Sequence, residues 1–244
     1  MVLPGPMHHL GYYQYQAKAR GIGGVPDIIR AAQGRIHVWN QIVSPWLPTD
    51  RGQPIAELAC GHGSFLWWLK ERGFTRLAGI DSSPEQISLA RQIGVETHLQ
   101  DVIEWLRQQS AASQHLLIAI DFLEHISKDD VMELLVQSQR VLLPGGRLVL
   151  RYPNGDSPLV GMNLFNDITH VWTYTPNCLD SLARMHGFTR TAFVDESEQA
   201  IRDHRWFKVP FCRLSKTVLG LLFRAATKEK VQFWSPNLWA SLEK

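Results

Sequence analysis

From residue 55 to about residue 153, short apolar runs alternate with amphipathic stretches, a pattern that predicts strands and helices in turn. IAELAC reads as a buried strand and GSFLWWLKERG as a helix with Leu66 and Leu69 on one face. RLAGID is a second strand, SPEQISLARQIG a helix, VETHLQD a third strand and VIEWLRQQ another helix. HLLIAID makes a fourth strand and DDVMELLVQSQRVL a helix, and a PGG turn leads into a fifth strand, RLVLRY. Past residue 155 a polar, aromatic loop runs to a helix over 176–186, which Gly187 is placed to cap, and then to a strand in FTRTAFV. FWSPNLWASLEK reads as a returning strand. Apolar strands separated by helices of about a dozen residues imply right-handed βαβ units on a mostly parallel sheet with helices on both faces.

The flanks differ. Residues 1–53 hold an aromatic, Gln-rich opening, a GIGG stretch at 21–24 and a helical pattern around 27–43, punctuated by Pro45, Pro48 and Pro54. Residues 202–230 carry eight Lys or Arg against two acids, interleaved with Trp206, Phe207, Phe211 and VLGLLF. A net charge of +2 over 244 residues argues against a nucleic-acid binder. Cys60, Cys178 and Cys212 are odd in number and widely spaced, as reduced thiols in a cytoplasmic protein would be. The opening lacks a secretory pattern, and no apolar run is long enough to span a bilayer.

The chemistry gathers where the first strand meets its helix. A strand ending in Gly-x-Gly brings bare backbone and a helix N-terminus beside a ligand, at the carboxyl ends of the strands. Asp81 closes the next strand, where a carboxylate accepts from a ribose diol, and Asp101 and Asp121 close the third and fourth. A dinucleotide site wants a third glycine where Leu66 stands, and Glu57 would repel a phosphate but suits a cationic ammonium or sulfonium. Read singly, Gly-x-Gly is a tight turn and Asp81, Ser82 or Ser83 a helix N-cap.

In register, these residues resemble the class I S-adenosylmethionine-dependent methyltransferases, in particular those of bacterial glycan and lipopolysaccharide biosynthesis. Glu57-Leu58-Ala59-Cys60-Gly61-His62-Gly63 is similar to the family's acid-and-glycine motif, with Ala59 in place of its first glycine. GIDSSPEQISLAR, LQDVIEWL, IDFLEHI and LLPGGRLVL follow in the family's order. The resemblance implies a Rossmann-like α/β fold with a seven-stranded sheet, its final strand antiparallel at the edge. It implies an N-terminal lid over 1–53, a methyltransferase domain over 54–200 and a basic helical appendage with the edge strand over 201–244. It also implies S-adenosylmethionine as cofactor, with S-adenosylhomocysteine as product. The expected cofactor contacts are Glu57, Ala59, Cys60, Gly61, Gly63, Asp81, Ser82, Gln86, Asp101, Val102, Asp121, Phe122 and His125. Ala59 is expected to keep a negative φ.

FNDITHVWTYTP, residues 165–176, resembles a D-x-T-H-x-x-x-Y-T-P segment of glycan-modifying methyltransferases. A hydroxyl acceptor needs its proton taken, so His170 and His125 are the candidate bases, with Asp167 set to orient the His170 imidazole. Tyr13, Tyr152, Asn154, Trp172 and Tyr174 are the candidate acceptor contacts, and no metal is expected. The same positions also serve as loop braces or core packing. The acceptor implied is a sugar or glycan-like oxygen. A quinone-type or other small-molecule acceptor, a nicotinamide-dependent oxidoreductase and a non-catalytic membrane-associated binding module are the other readings. The basic tail fits peripheral contact with the inner membrane face, a homodimer contact or a cover on the sheet.

Overall fold

The computed structural model describes residues 21–196, 209–228 and 230–244. Tyr13 and the rest of the first twenty residues, expected to form the lid, lie outside them. Seven strands form one sheet: β1 (Ile55–Leu58), β2 (Leu77–Asp81), β3 (Glu96–Leu99), β4 (Gln114–Ile120), β5 (Leu142–Pro153), β6 (Arg190–Asp195) and β7 (Asn237–Glu243). Their order is β3-β2-β1-β4-β5-β7-β6, with β1 to β5 parallel and β7 antiparallel to both of its neighbours. The helices are α1 (Val25–Gln33), α2 (Ser64–Glu71), α3 (Pro84–Arg91), α4 (Val102–Gln108), α5 (Lys128–Val141), α6 (Pro176–Met185) and α7 (Val209–Thr227), with shorter turns between. Among the described residues no helix is long and apolar enough to cross a membrane.

The strand residues alternate between two apolar layers, as a period of two demands. Ala56, Leu58, Leu117, Ala119, Leu148 and Leu150 join α4, α5 and α6 on one face. Ile55, Leu116, Ile118, Val149 and Trp239 join α2 and α3 on the other. Residues 25–46 belong to that second layer. Trp39 meets Phe65 edge-on at 5.2 Å between centroids and Trp68 at 5.6 Å, and Ile28, Ala32, Ile42 and Val43 are buried. The described part of the N-terminal segment therefore packs as core beside α2.

The last strand corrects one expectation. β7 is not at the edge; it lies between β5 and β6, and β6 is the edge strand. Leu238, Trp239, Ala240, Ser241 and Leu242 are all buried, which needs a neighbour on each side and cover on both faces. β6 mixes exposed and half-buried positions, the pattern of an edge.

Crossovers from β1 run to opposite sides, toward β2 and toward β4, so β1 and β4 flank the point where strand order reverses. A crevice opens at the carboxyl ends of the strands at such a point. The glycine turn after β1 and the segment after β4 both lie there.

Candidate active site

The turn from β1 into α2 is built from left-handed backbone. Ala59 has φ +57°, Gly61 +52° and Gly63 +84°. Ala59 was expected at negative φ and is not; its Cβ sits in a conformation that costs an L-residue about 1–2 kcal/mol. Ala59→Gly is therefore expected to stabilise the fold by about 1 kcal/mol after the extra chain entropy of glycine, read as a higher urea midpoint.

The two glycines do different jobs. A Cβ on Gly63 would lie 2.6 Å from Ile93 Cδ1 and 3.2 Å from Ala90 Cβ, so its bareness lets α3 approach. A Cβ on Gly61 would meet nothing nearer than Gln86 Oε1 at 3.8 Å, so its bareness leaves open space. Cys60, expected at the cofactor, is buried beneath the turn in the α2 layer, and its Sγ lies beside Gly79. Only its backbone borders the crevice. Burial, with Glu57 and Asp81 close by, pushes its thiol well up.

Asp81 holds the turn together. Oδ2 accepts from the Gly61 amide at 2.8 Å and Oδ1 from the Ser83 amide at 2.8 Å. A carboxylate offers about four lone-pair sites, so with the neighbouring amides in place Asp81 keeps acceptor capacity for a ligand hydroxyl, as a ribose presents. Burial raises the Asp81 pKa against these amide bonds. Ser83, not Ser82, caps α3 by accepting from the Gln86 amide at 3.3 Å, and Ser82 is exposed. Asp101 caps α4, its Oδ1 accepting from the Ile103 and Glu104 amides at 2.8 and 3.0 Å. Val102 packs its side chain in the core, so only its backbone can face a ligand.

Glu57 is buried at the end of β1, and Oε2 has no hydrogen-bond partner. Burial and the nearby Asp81 push its pKa well above the ordinary range. Gln86 Oε1 is likewise buried without a partner.

On the β4 side, Asp121 stands at φ +54° and forms an ion pair with Arg151 of β5. Arg151 Nε also donates to Glu196 Oε2 at 2.7 Å; Glu196 accepts from Arg35 at 2.9 Å and from Trp239 Nε1 at 3.2 Å. Burial works against the Arg151 charge, but Asp121 and Glu196 outweigh it and raise its pKa further. This network ties the N-terminal segment, β5, the end of β6 and β7 to the crevice wall. Arg151→Leu removes one partner from the buried Glu196, which keeps Arg35 and Trp239, and leaves Asp121 to solvent. It is expected to cost about 1–3 kcal/mol, measured by denaturant unfolding.

Next come Glu124 and His125, joined by the loop carrying residues 167–170. Asp167, expected to orient His170, accepts from the Thr169 hydroxyl at 2.6 Å and the Thr169 amide at 2.9 Å. Burial opposes ionisation of Asp167, yet these two bonds hold its pKa below the usual range. An ionised carboxylate has no proton, so Thr169 spends its own on Asp167. Its oxygen then accepts from His125 Nδ1 at 2.9 Å. That places the His125 lone pair on Nε2. Burial and then His170 push the His125 pKa down to about 4, so the ring is neutral.

His170 stands edge-on to His125 at 4.6 Å between centroids, its Nδ1 donating to Leu164 O at 2.9 Å and its Nε2 3.9 Å from Glu124. Glu124 is buried; burial and Asp121 raise its pKa well up, and Oε2 has no partner. Glu124, His125 and His170 bring ligand atoms within 4.8 Å of one another, a donor set of the kind that holds a metal ion.

Three expected acceptor contacts are corrected. Tyr152 is 1 % exposed in the α5 and α6 layer, and Tyr174 packs in the same layer. Asn154 is wholly buried and braces the chain ahead of β7, donating to the carbonyls of Phe233 and Ser235. Tyr152 faces inward from β5 itself, and Asn154 is held under the segment it braces. Trp172 stays half exposed, with Lys128 Nζ 3.7 Å over its ring.

The family described as "Methyltransferase domain" matches residues 32–192. The chain belongs to that methyltransferase family. A structure of an S-adenosylmethionine-dependent methyltransferase from Archaeoglobus fulgidus is 18% identical with a TM-score of 0.69, over 96% of this chain and 99% of that one. A Mesorhizobium loti S-adenosylmethionine-dependent methyltransferase is 17% identical with a TM-score of 0.61, over 85% and 98%. A curated relative, an uncharacterized 37.1 kDa protein in transposon TN4556 of Streptomyces fradiae, is 29% identical over 140 residues, 54% of this chain. The chain spans 39% of that relative's length.

The donor that suits this methyltransferase crevice is S-adenosylmethionine. The bare flank of Gly61, the spare acceptor capacity of Asp81 and the unpartnered Glu57 and Gln86 oxygens offer space and acceptors to a cationic, ribose-bearing molecule. Phe122, which follows Asp121 at the end of β4, is half buried against the core. Sequence reasoning missed the Glu196 anchor and the part played by Glu124, since lone acids give no local signal. Thr169 was visible as part of the D-x-T-H segment, but its link to His125 was not.

Proposed function

We propose that this methyltransferase moves the methyl group of S-adenosylmethionine to a hydroxyl oxygen of a sugar or glycan-like acceptor. The observation that carries the reading is His125, a buried neutral imidazole whose lone pair is set on Nε2 by Thr169 and Asp167 at the β4 end of the crevice. An amine acceptor in its free-base form needs no such group, whereas a hydroxyl does. When bound, the cofactor supplies an electrophilic methyl on a sulfonium. Glu57 and Asp81 hold and orient it, Asp101 and the Val102 backbone take its adenine edge, and His125 Nε2 receives the hydroxyl proton. The resemblance of residues 165–176 to glycan-modifying enzymes, with the half-exposed Trp172 ring among them, supports a sugar. A nicotinamide cofactor fits less well, since Leu66 fills the place of the third glycine and is wholly buried.

The test is methyl transfer from labelled S-adenosylmethionine to a panel of nucleotide sugars, oligosaccharides, phenols and amines. Turnover confined to sugar hydroxyls is the expected result. Turnover confined to phenols or amines would overturn the acceptor, and calorimetric binding of a nicotinamide dinucleotide but not S-adenosylmethionine would overturn the reading as a whole.

A further inference from the structure

Helix α7 carries its apolar side outward. Its 19 residues include Arg213, Lys216 and Arg224 and no acid. Phe211, Leu214, Val218, Leu221 and Leu222 recur at helical spacing and share one stripe, with Leu219 at its border. All six are between 48 and 73 % exposed. The opposite side faces the body of the protein: Cys212, Lys216, Gly220 and Phe223 are half buried, Lys216 Nζ lies 3.8 Å from Asp195, and Gly220 stands against Trp234. An amphipathic helix on a soluble domain ordinarily turns its apolar stripe to the core. Here the stripe is presented, and a contiguous exposed apolar surface of this kind marks an interaction site.

We infer that α7 lies in the headgroup plane of an anionic lipid bilayer, its stripe in the acyl boundary and the exposed Arg224 and Lys228 toward the headgroups. The helix does not meet the length and hydropathy needed to cross, so it can only lie along the surface. Charge decides between a bilayer and a second copy of the chain. Lys216 is held on the body side near Asp195, but Arg224 and Lys228 are exposed, and two α7 helices packed stripe to stripe would meet with no acid on either helix to offset them. Anionic headgroups complement that charge and help hold a helix whose hydrophobic anchor alone is short. The inference is independent of the acceptor chemistry, though it sets the crevice near a membrane surface.

The experiment is flotation of the full chain with vesicles of phosphatidylcholine, alone or mixed with phosphatidylglycerol, at low and high salt. Val218→Asp combined with Leu221→Asp is the test variant; both side chains are exposed, and an unchanged melting midpoint confirms its fold. Recovery with the anionic vesicles is expected to exceed that with phosphatidylcholine at least tenfold, to fall with salt, and to drop at least tenfold in the double variant. Equal recovery of parent and double variant would overturn the inference, as would absence of the parent from the anionic vesicle fraction. A dimer in sedimentation that the double variant dissolves, without vesicle binding, would assign the stripe to a second copy instead. S-adenosylmethionine binding, measured alongside, reports on the crevice separately.

Discussion

Asp81→Ala is expected to weaken S-adenosylmethionine binding by at least a hundredfold in calorimetry. The loss has two sources. The carboxylate accepts the Gly61 and Ser83 amides at 2.8 Å, which sets the left-handed turn and the start of α3. It also keeps acceptor capacity for the ribose hydroxyls. Hydrogen bonds to a charged group contribute about 1.5–3 kcal/mol each, so loss of the ribose pair alone reaches a hundredfold. Asp81→Asn retains one acceptor oxygen and should fall between. Parental affinity in Asp81→Ala would mean that the donor does not occupy this crevice.

His125→Ala is expected to lower kcat by about 10²–10⁴-fold while leaving S-adenosylmethionine affinity within about threefold. Thr169→Val should lower kcat less, about tenfold, because it removes the acceptor that sets the imidazole tautomer while leaving the ring in place. The pH profile separates this base from an ordinary histidine. His125 protonates near pH 4 rather than near 6.5, since burial and His170 disfavour its charge. Its lone pair is thus present throughout the neutral range, and kcat should stay level from about pH 5 upward; a limb with its midpoint near 6.5 would point to another group.

The same shift has a consequence for stability. Between about pH 6.5 and 4 the unfolded chain binds a proton at His125 that the folded chain does not, so stability rises with pH across that window and is lost as pH falls. The full shift corresponds to about 3 kcal/mol. His125→Ala should flatten that slope in urea titrations at pH 4.5 and 7.

Much of the fold was legible because the determining signals are local. Strands buried on both faces must read as apolar runs, helices must place Leu66 and Leu69 on one side, and a helix after Thr175-Pro176 announces its own start. Gly61, Gly63, Asp81 and Asp101 stood out for the same reason, since backbone approach and capping depend on neighbours a few residues away. The placement of β7 was less legible. Its apolar run told of burial, but whether β6 or β7 takes the edge depends on which pairs with β5 across some ninety residues of chain.

By itself, then, the sequence determined the parallel sheet, the glycine turn and its acids, and the family to which they belong, because each rests on short-range backbone geometry and periodicity. Only the tertiary structure decided that Ala59 is left-handed, that Asp167 reaches His125 through Thr169, and that Tyr152, Asn154 and Tyr174 face the core. It alone turned the stripe of α7 outward. These are outcomes of long-range packing, in which the side a residue shows is set by the elements that cover it.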